Sequence, residues 1–94
     1  MTDVCTYLTL TTDMVGSALG GAEWFGLGRA VVYFDHPQDV GLEHALCIDF
    51  RGIDGDPASR VAVELDGASA RRLAVTILGV LDSPEVRELG EQST

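Results

Sequence analysis

Residues 43–50 read EHALCIDF and residues 59–65 read SRVAVEL, and these two stretches decide the fold. In each, side chains of opposite character alternate, the period of two that a half-buried β-strand imposes. His44, Leu46, Ile48 and Phe50 take one side; Ala45, Cys47, Asp49 and Arg51 take the other. Likewise Val61, Val63 and Leu65 oppose Arg60, Ala62 and Glu64. The intervening RGIDGDPA (51–58) is turn chemistry throughout. A connection that short makes the two strands antiparallel, because a parallel crossover needs about a dozen residues.

Working outward, VCTYLTLTT (4–12) is rich in β-branched and aromatic residues and reads as a strand. Its Val4, Thr6, Leu8 and Leu10 share one face, with Cys5, Tyr7 and Thr9 on the other. RAVVYF (29–34) is a continuous apolar run, consistent with a strand buried on both faces. Asp35-His36-Pro37 closes it, since proline cannot donate to a sheet ladder. The segment GSALGGAEWFGLG (16–28) is dense in glycine, which favours turns, bulges or a bent hairpin over a long regular element.

Beyond residue 65, Asp66 or Ser69 can cap a helix. Ala70, Leu73, Ala74, Ile77, Leu78 and Leu81 then form one apolar face, with Arg71 and Arg72 pointing away. Ser83-Pro84 stops that helix, and residues 84–89 can add one short turn. The expectation is a single α+β domain over residues 1–89, followed by a short acidic tail at 90–94. Its architecture is a mostly antiparallel sheet of four to five strands with one C-terminal helix packed on one face.

Composition narrows the function. A chain of 94 residues, 46% of them hydrophobic, suits one folded domain with a thin core. The formal charge of −9 excludes a nucleic-acid phosphate binder, which needs clustered positive charge. All six basic residues are arginine, so lysine Schiff-base and P-loop chemistry are excluded. No apolar run approaches the roughly 18–20 residues of a membrane helix, and the N-terminus lacks the pattern of a signal peptide. Two cysteines are too few for a disulfide framework, and a cytoplasmic location is expected.

The polar side of the sheet collects Cys5, Tyr7, Cys47, Asp49, Arg60 and Glu64. Thiols, a phenol, carboxylates and a guanidinium together suit a semi-enclosed pocket or a seam between two copies. The plainer alternative is a structural ion pair of Arg60 with Asp49 or Glu64 on a solvated face. As a pocket, Asp49 or Glu64 would serve as general base or acid, with Tyr7 or His44 supplying the complementary proton. Arg60, Cys5 and Cys47 would contact substrate, and Trp24 would act as a lid or plug. His36 and His44, the only histidines, could hold a divalent metal with a nearby carboxylate, although their spacing matches no compact metal motif. Otherwise His36 caps a turn and His44 sits at a sheet margin.

Three readings follow. The first is a small bacterial enzyme of specialised metabolism acting on a small organic molecule by acid–base or metal-assisted chemistry, of isomerase, cyclase or lyase type. As a chain this short is expected to borrow pocket walls from a second subunit, that enzyme is a homodimer. The second is a non-catalytic module that binds a small ligand or a metal. The third is a purely structural dimerisation domain.

The pattern Val4-Cys5-Thr6-Tyr7, Trp24-Phe25, Tyr33-Phe34-Asp35-His36-Pro37, His44-Ala45-Leu46, Ile48-Asp49-Phe50 and Arg60-Val61-Ala62-Val63-Glu64-Leu65 resembles a family of short bacterial proteins catalogued as a domain of unknown function. The resemblance runs from Val4 to Leu81, and the Asp-His-Pro turn with the His-Ala-Leu and Ile-Asp-Phe triplets is its most specific part. It implies no activity and transfers no catalytic roles.

Overall fold

The computed structural model describes residues 8–90. Four strands are followed by two helices: β1 (Leu8–Gly20), β2 (Glu23–Asp35), β3 (Ala45–Gly52), β4 (Arg60–Leu65), α1 (Gly67–Leu81) and α2 (Pro84–Leu89). The strands form one antiparallel sheet in the order β1-β2-β3-β4, a meander in which every neighbour in space is a neighbour in sequence. This is the expected α+β architecture. Positions 4–7 of the first expected strand and 91–94 of the expected tail lie outside the described residues.

The glycine-rich segment departs from its expected form. β1 runs to Gly20 and β2 begins at Glu23, so both strands pass through it as one long hairpin. The expected turn and bulges are nevertheless present inside that hairpin. Gly21, at φ 61°, takes the first central position of a two-residue turn between Gly20 and Glu23, the geometry of a type II′ turn. The register slips between Asp13 and Gly16 and again between Leu27 and Arg29, and such bulges bend a strand without ending it. The bent hairpin reaches the β3–β4 connection, where the Ile53 amide donates to the Gly26 carbonyl at 3.0 Å. Gly28 permits that approach, since a Cβ there would lie 2.8 Å from Ile53 Cγ2, while Gly52 lets the two arms of the β3–β4 turn close, a Cβ there lying 2.6 Å from Ser59 Cβ.

Register confirms the two-sided reading of the strands. One side carries the cross-strand rows Leu8-Phe34-Leu46-Leu65, Leu10-Val32-Ile48-Val63 and Thr12-Ala30-Phe50-Val61. The other carries Thr9-Tyr33-Cys47-Glu64, Thr11-Val31-Asp49-Ala62 and Asp13-Arg29-Arg51-Arg60. β2 is therefore two-faced like its neighbours, not a strand apolar on both sides, with Tyr33 and Arg29 on the polar face.

Asp66 caps α1 by accepting from the Ser69 amide at 2.7 Å, and Ser69 holds the Asp66 carboxyl below its usual range. Ser83 caps α2, with Pro84 opening it. α1 lies over the apolar side of the sheet but does not close on it. A groove of about 500 Å³ remains, walled by Val32, Phe34, Leu46 and Ile48 below and by Ala70, Leu73 and Ile77 above. Arg71 lines this groove rather than pointing away from it. Among the described residues the buried apolar set is only Ala30, Ala45 and Cys47, and no large side chain is fully buried. Among the described residues no helix is long and apolar enough to cross a membrane.

Candidate functional site

The polar side of the sheet is where the expected site residues meet. β3 alternation turns Cys47 and Asp49 to this side, where both are buried, and β4 alternation turns Arg60 and Glu64 the same way. Asp49 is bridged by two arginines. Arg60 Nε donates to Oδ1 at 2.6 Å, while Arg51 donates to Oδ2 through Nε at 2.7 Å and contacts it through Nη2 at 2.6 Å. A buried carboxylate must be paired, and here both oxygens are. The structural ion pair weighed from the sequence is thus Arg60 with Asp49, joined by Arg51.

Glu64 has a different task. Its Oε2 accepts from the Gln38 amide at 2.5 Å, and its Oε1 accepts from the Asp39 and Val40 amides at 3.0 and 3.1 Å. Successive amides converging on one carboxylate form an anion-binding nest, with the anion supplied by the chain itself. These bonds, led by that from Gln38, lower the Glu64 pKa. The effect is to strap the β2–β3 connection across the end of the polar face.

Under that strap lies a cleft of about 740 Å³ whose lining includes Tyr33, Cys47, Arg60 and Glu64, with Gln38 and Asp39 of the strap itself. Burial raises the Tyr33 pKa above its ordinary value, with Cys47 and Asp49 adding to the effect. Burial likewise raises that of Cys47, assisted by Glu64 and Asp35. Both groups are neutral proton donors near neutral pH. The Cys47 thiol donates weakly to the Ala45 carbonyl at 3.6 Å. Arg60 keeps 45% of its side chain exposed although one nitrogen is bound to Asp49.

Other expected site residues fall elsewhere. His44 stacks on Phe34, of the apolar side, at 5.8 Å between ring centroids and on His36 at 4.7 Å. His36 Nδ1 is 2.8 Å from the Glu43 carbonyl oxygen. The two histidines therefore do meet, at the sheet margin, but apart from the cleft. Among the described residues no three His, Cys, Asp or Glu side chains gather as a metal site would require. Trp24 pairs with Leu19 near the hairpin tip, exposed and apart from the cleft lining. Tyr7 and Cys5 lie outside the described residues. The residue missed from sequence is Tyr33, which stands directly opposite Cys47 across the β2–β3 ladder. Assigning RAVVYF a period of two, as for the other strands, was the signal that identifies it.

A four-stranded meander with one polar face strapped by its own loop, and one apolar face under an open helix, defines a small two-faced α+β protein. The chain belongs to the Family of unknown function (DUF6295), whose model matches residues 4–90. No curated protein and no solved structure matches it.

Proposed function

We propose that the protein is a binding module for a small organic ligand carrying carbonyl or carboxylate oxygens, held in the cleft between Tyr33 and Arg60. One observation carries this reading. Of the polar groups lining the cleft, the Glu64 carboxylate is taken by backbone amides and Arg60 is tied to the buried Asp49 through one nitrogen, which leaves the rest of its guanidinium and the Tyr33 hydroxyl as donors; Gln38 and Asp39 also line the cleft. A guanidinium and a phenol together favour a ligand that brings oxygen acceptors. Val40 and Ala62 supply apolar wall for its carbon frame. A cytoplasmic setting fits a site that includes a reduced thiol.

The test is ligand-observed NMR with a panel of small carboxylates and carbonyl compounds. A binder should protect Cys47 from a thiol reagent in a Cys5→Ser background. Its affinity should drop about 2- to 10-fold in Tyr33→Phe, which loses one hydrogen bond. Ala62→Trp, which fills the cleft, should abolish binding. A binder that is indifferent to both changes overturns the reading.

A second reading, acid–base chemistry of the isomerase, cyclase or lyase type, is favoured by the facing pair Tyr33 and Cys47, both held protonated. In it Tyr33 is the proton donor in place of Tyr7 or His44. Turnover of a bound compound that disappears in Tyr33→Phe, with binding only slightly weakened, would select this second reading over simple binding.

A further inference from the structure

We infer that the apolar side of the sheet and helix α1 are completed by a second copy of this chain, packed apolar side to apolar side. Neighbouring strands lie about 4.8 Å apart, so a four-stranded sheet presents a surface roughly 15–20 Å wide. One helix is about 10 Å across with its side chains. A single α1 therefore covers about half of the sheet, and the uncovered half is β1, where Leu8 and Leu10 face outward exposed.

The helix itself is made to be covered on more than one side. From Leu73 to Leu81 it reads LAVTILGVL, with no charged residue. Val75, Leu78 and Val80 remain exposed in addition to the residues lining the groove. A helix apolar on most of its circumference is stable only when buried between layers.

Area identifies the occupant. Leu8, Leu10 and six residues of α1 between Leu73 and Leu81 are each 37–68% exposed. Scaled by the area of an extended chain, that is roughly 700 Å². The largest apolar patch of an ordinary monomer is about 300–600 Å², whereas each partner of a standard protein interface contributes about 800 Å². The partly exposed strand residues Phe34, Ile48 and Val63 on the same side bring the total up to that size. A protomer with no large fully buried side chain among its described residues, and with a radius of gyration of 15.4 Å where about 12.4 Å is usual for its length, is one half of a shared core. A second copy offers the complement at once: its α1 covers the first copy's β1, and the reverse, around a two-fold axis. The polar cleft stays on the outer side of each subunit, so this interface and the ligand reading stand or fall separately.

Light scattering coupled to size-exclusion chromatography of the full chain should give twice the 10.0 kDa chain mass. Its melting temperature should rise with protein concentration, as a dimer's does and a monomer's does not. Leu10→Glu and Leu78→Glu should each halve the mass or, where the separated chain cannot stay folded, abolish the cooperative melt. Thr11→Glu, one residue along β1 but on the polar side, should leave the mass and melt unchanged. Overturning results are a 10.0 kDa particle whose melting is independent of concentration, whether or not it adsorbs to neutral lipid vesicles, or a dimer broken by Thr11→Glu and untouched by Leu10→Glu.

Discussion

The two sides of the sheet invert the usual order of a small protein. The side carrying carboxylates, guanidinium groups and a thiol is the better enclosed: Cys47 and Asp49 are buried there, and the 38–40 strap is tied to Glu64. The side carrying leucine, isoleucine and phenylalanine is the more open, with a groove where a core would be. Polar groups bond directionally to single atoms, so a short loop or two arginines are enough to satisfy them. Apolar area is satisfied only by more area, and a chain of 94 residues has little of it to spare. Chain length therefore limits the greasy side first.

The contrast can be broken most severely at Asp49. Asp49→Asn should destabilise the fold by about 3 kcal/mol, the lower end for a broken buried pair, since Arg51 and Arg60 are 43% and 45% exposed and remain hydrated. Urea denaturation measures it, and a loss under 1 kcal/mol would mean the polar side does not depend on its ion pairs. Ile48→Ala, on the opposite side of the same strand, should cost about 2 kcal/mol, the low end for a truncated core residue. A larger loss that grows as the protein is diluted would show that Ile48 belongs to an interface. Gly52→Ala should cost about 1–2 kcal/mol by forcing Ser59 away, with NMR shifts confined to the β3–β4 turn and the hairpin leaning on it.

The smallest effect is an acid transition. The folded-state pKa of Glu64 lies below its unfolded value, so its stabilisation is present above the ordinary carboxylate range and is lost as pH falls through the lowered value. Amides of Gln38, Asp39 and Val40 should lose hydrogen-exchange protection in that window while the sheet persists. In Glu64→Gln they should be weakly protected at every pH, with no acid step.

The strands were readable because period-two alternation is a direct imprint of the pleat, and β3 and β4 show it without interruption. Helix α1 announced itself through Asp66 at its start, Ser83-Pro84 at its end and apolar residues at helical spacing between. The site was half legible. Alternation placed Cys47, Asp49, Arg60 and Glu64 on one side, and register brought them together. It could not show that three amides 24 to 26 residues away would claim Glu64, because loop geometry leaves no periodic trace. Tyr33 was hidden for another reason: with Ala30, Val31, Val32 and Phe34 around it, apolar on both sides of the strand, the segment masks its own alternation. His44 shows a converse error, since its alternation with Leu46 and Ile48 already put it on the apolar side, away from the carboxylates it was expected to serve.

The order of the strands in the sheet is also the order in which a ribosome makes them. Each new strand pairs with the one just finished, so the meander can assemble by successive short-range closures, the kind that fold fast. Until α1 docks, the closed sheet carries its greasy side bare, and a chain caught at that stage is a natural client for a chaperone.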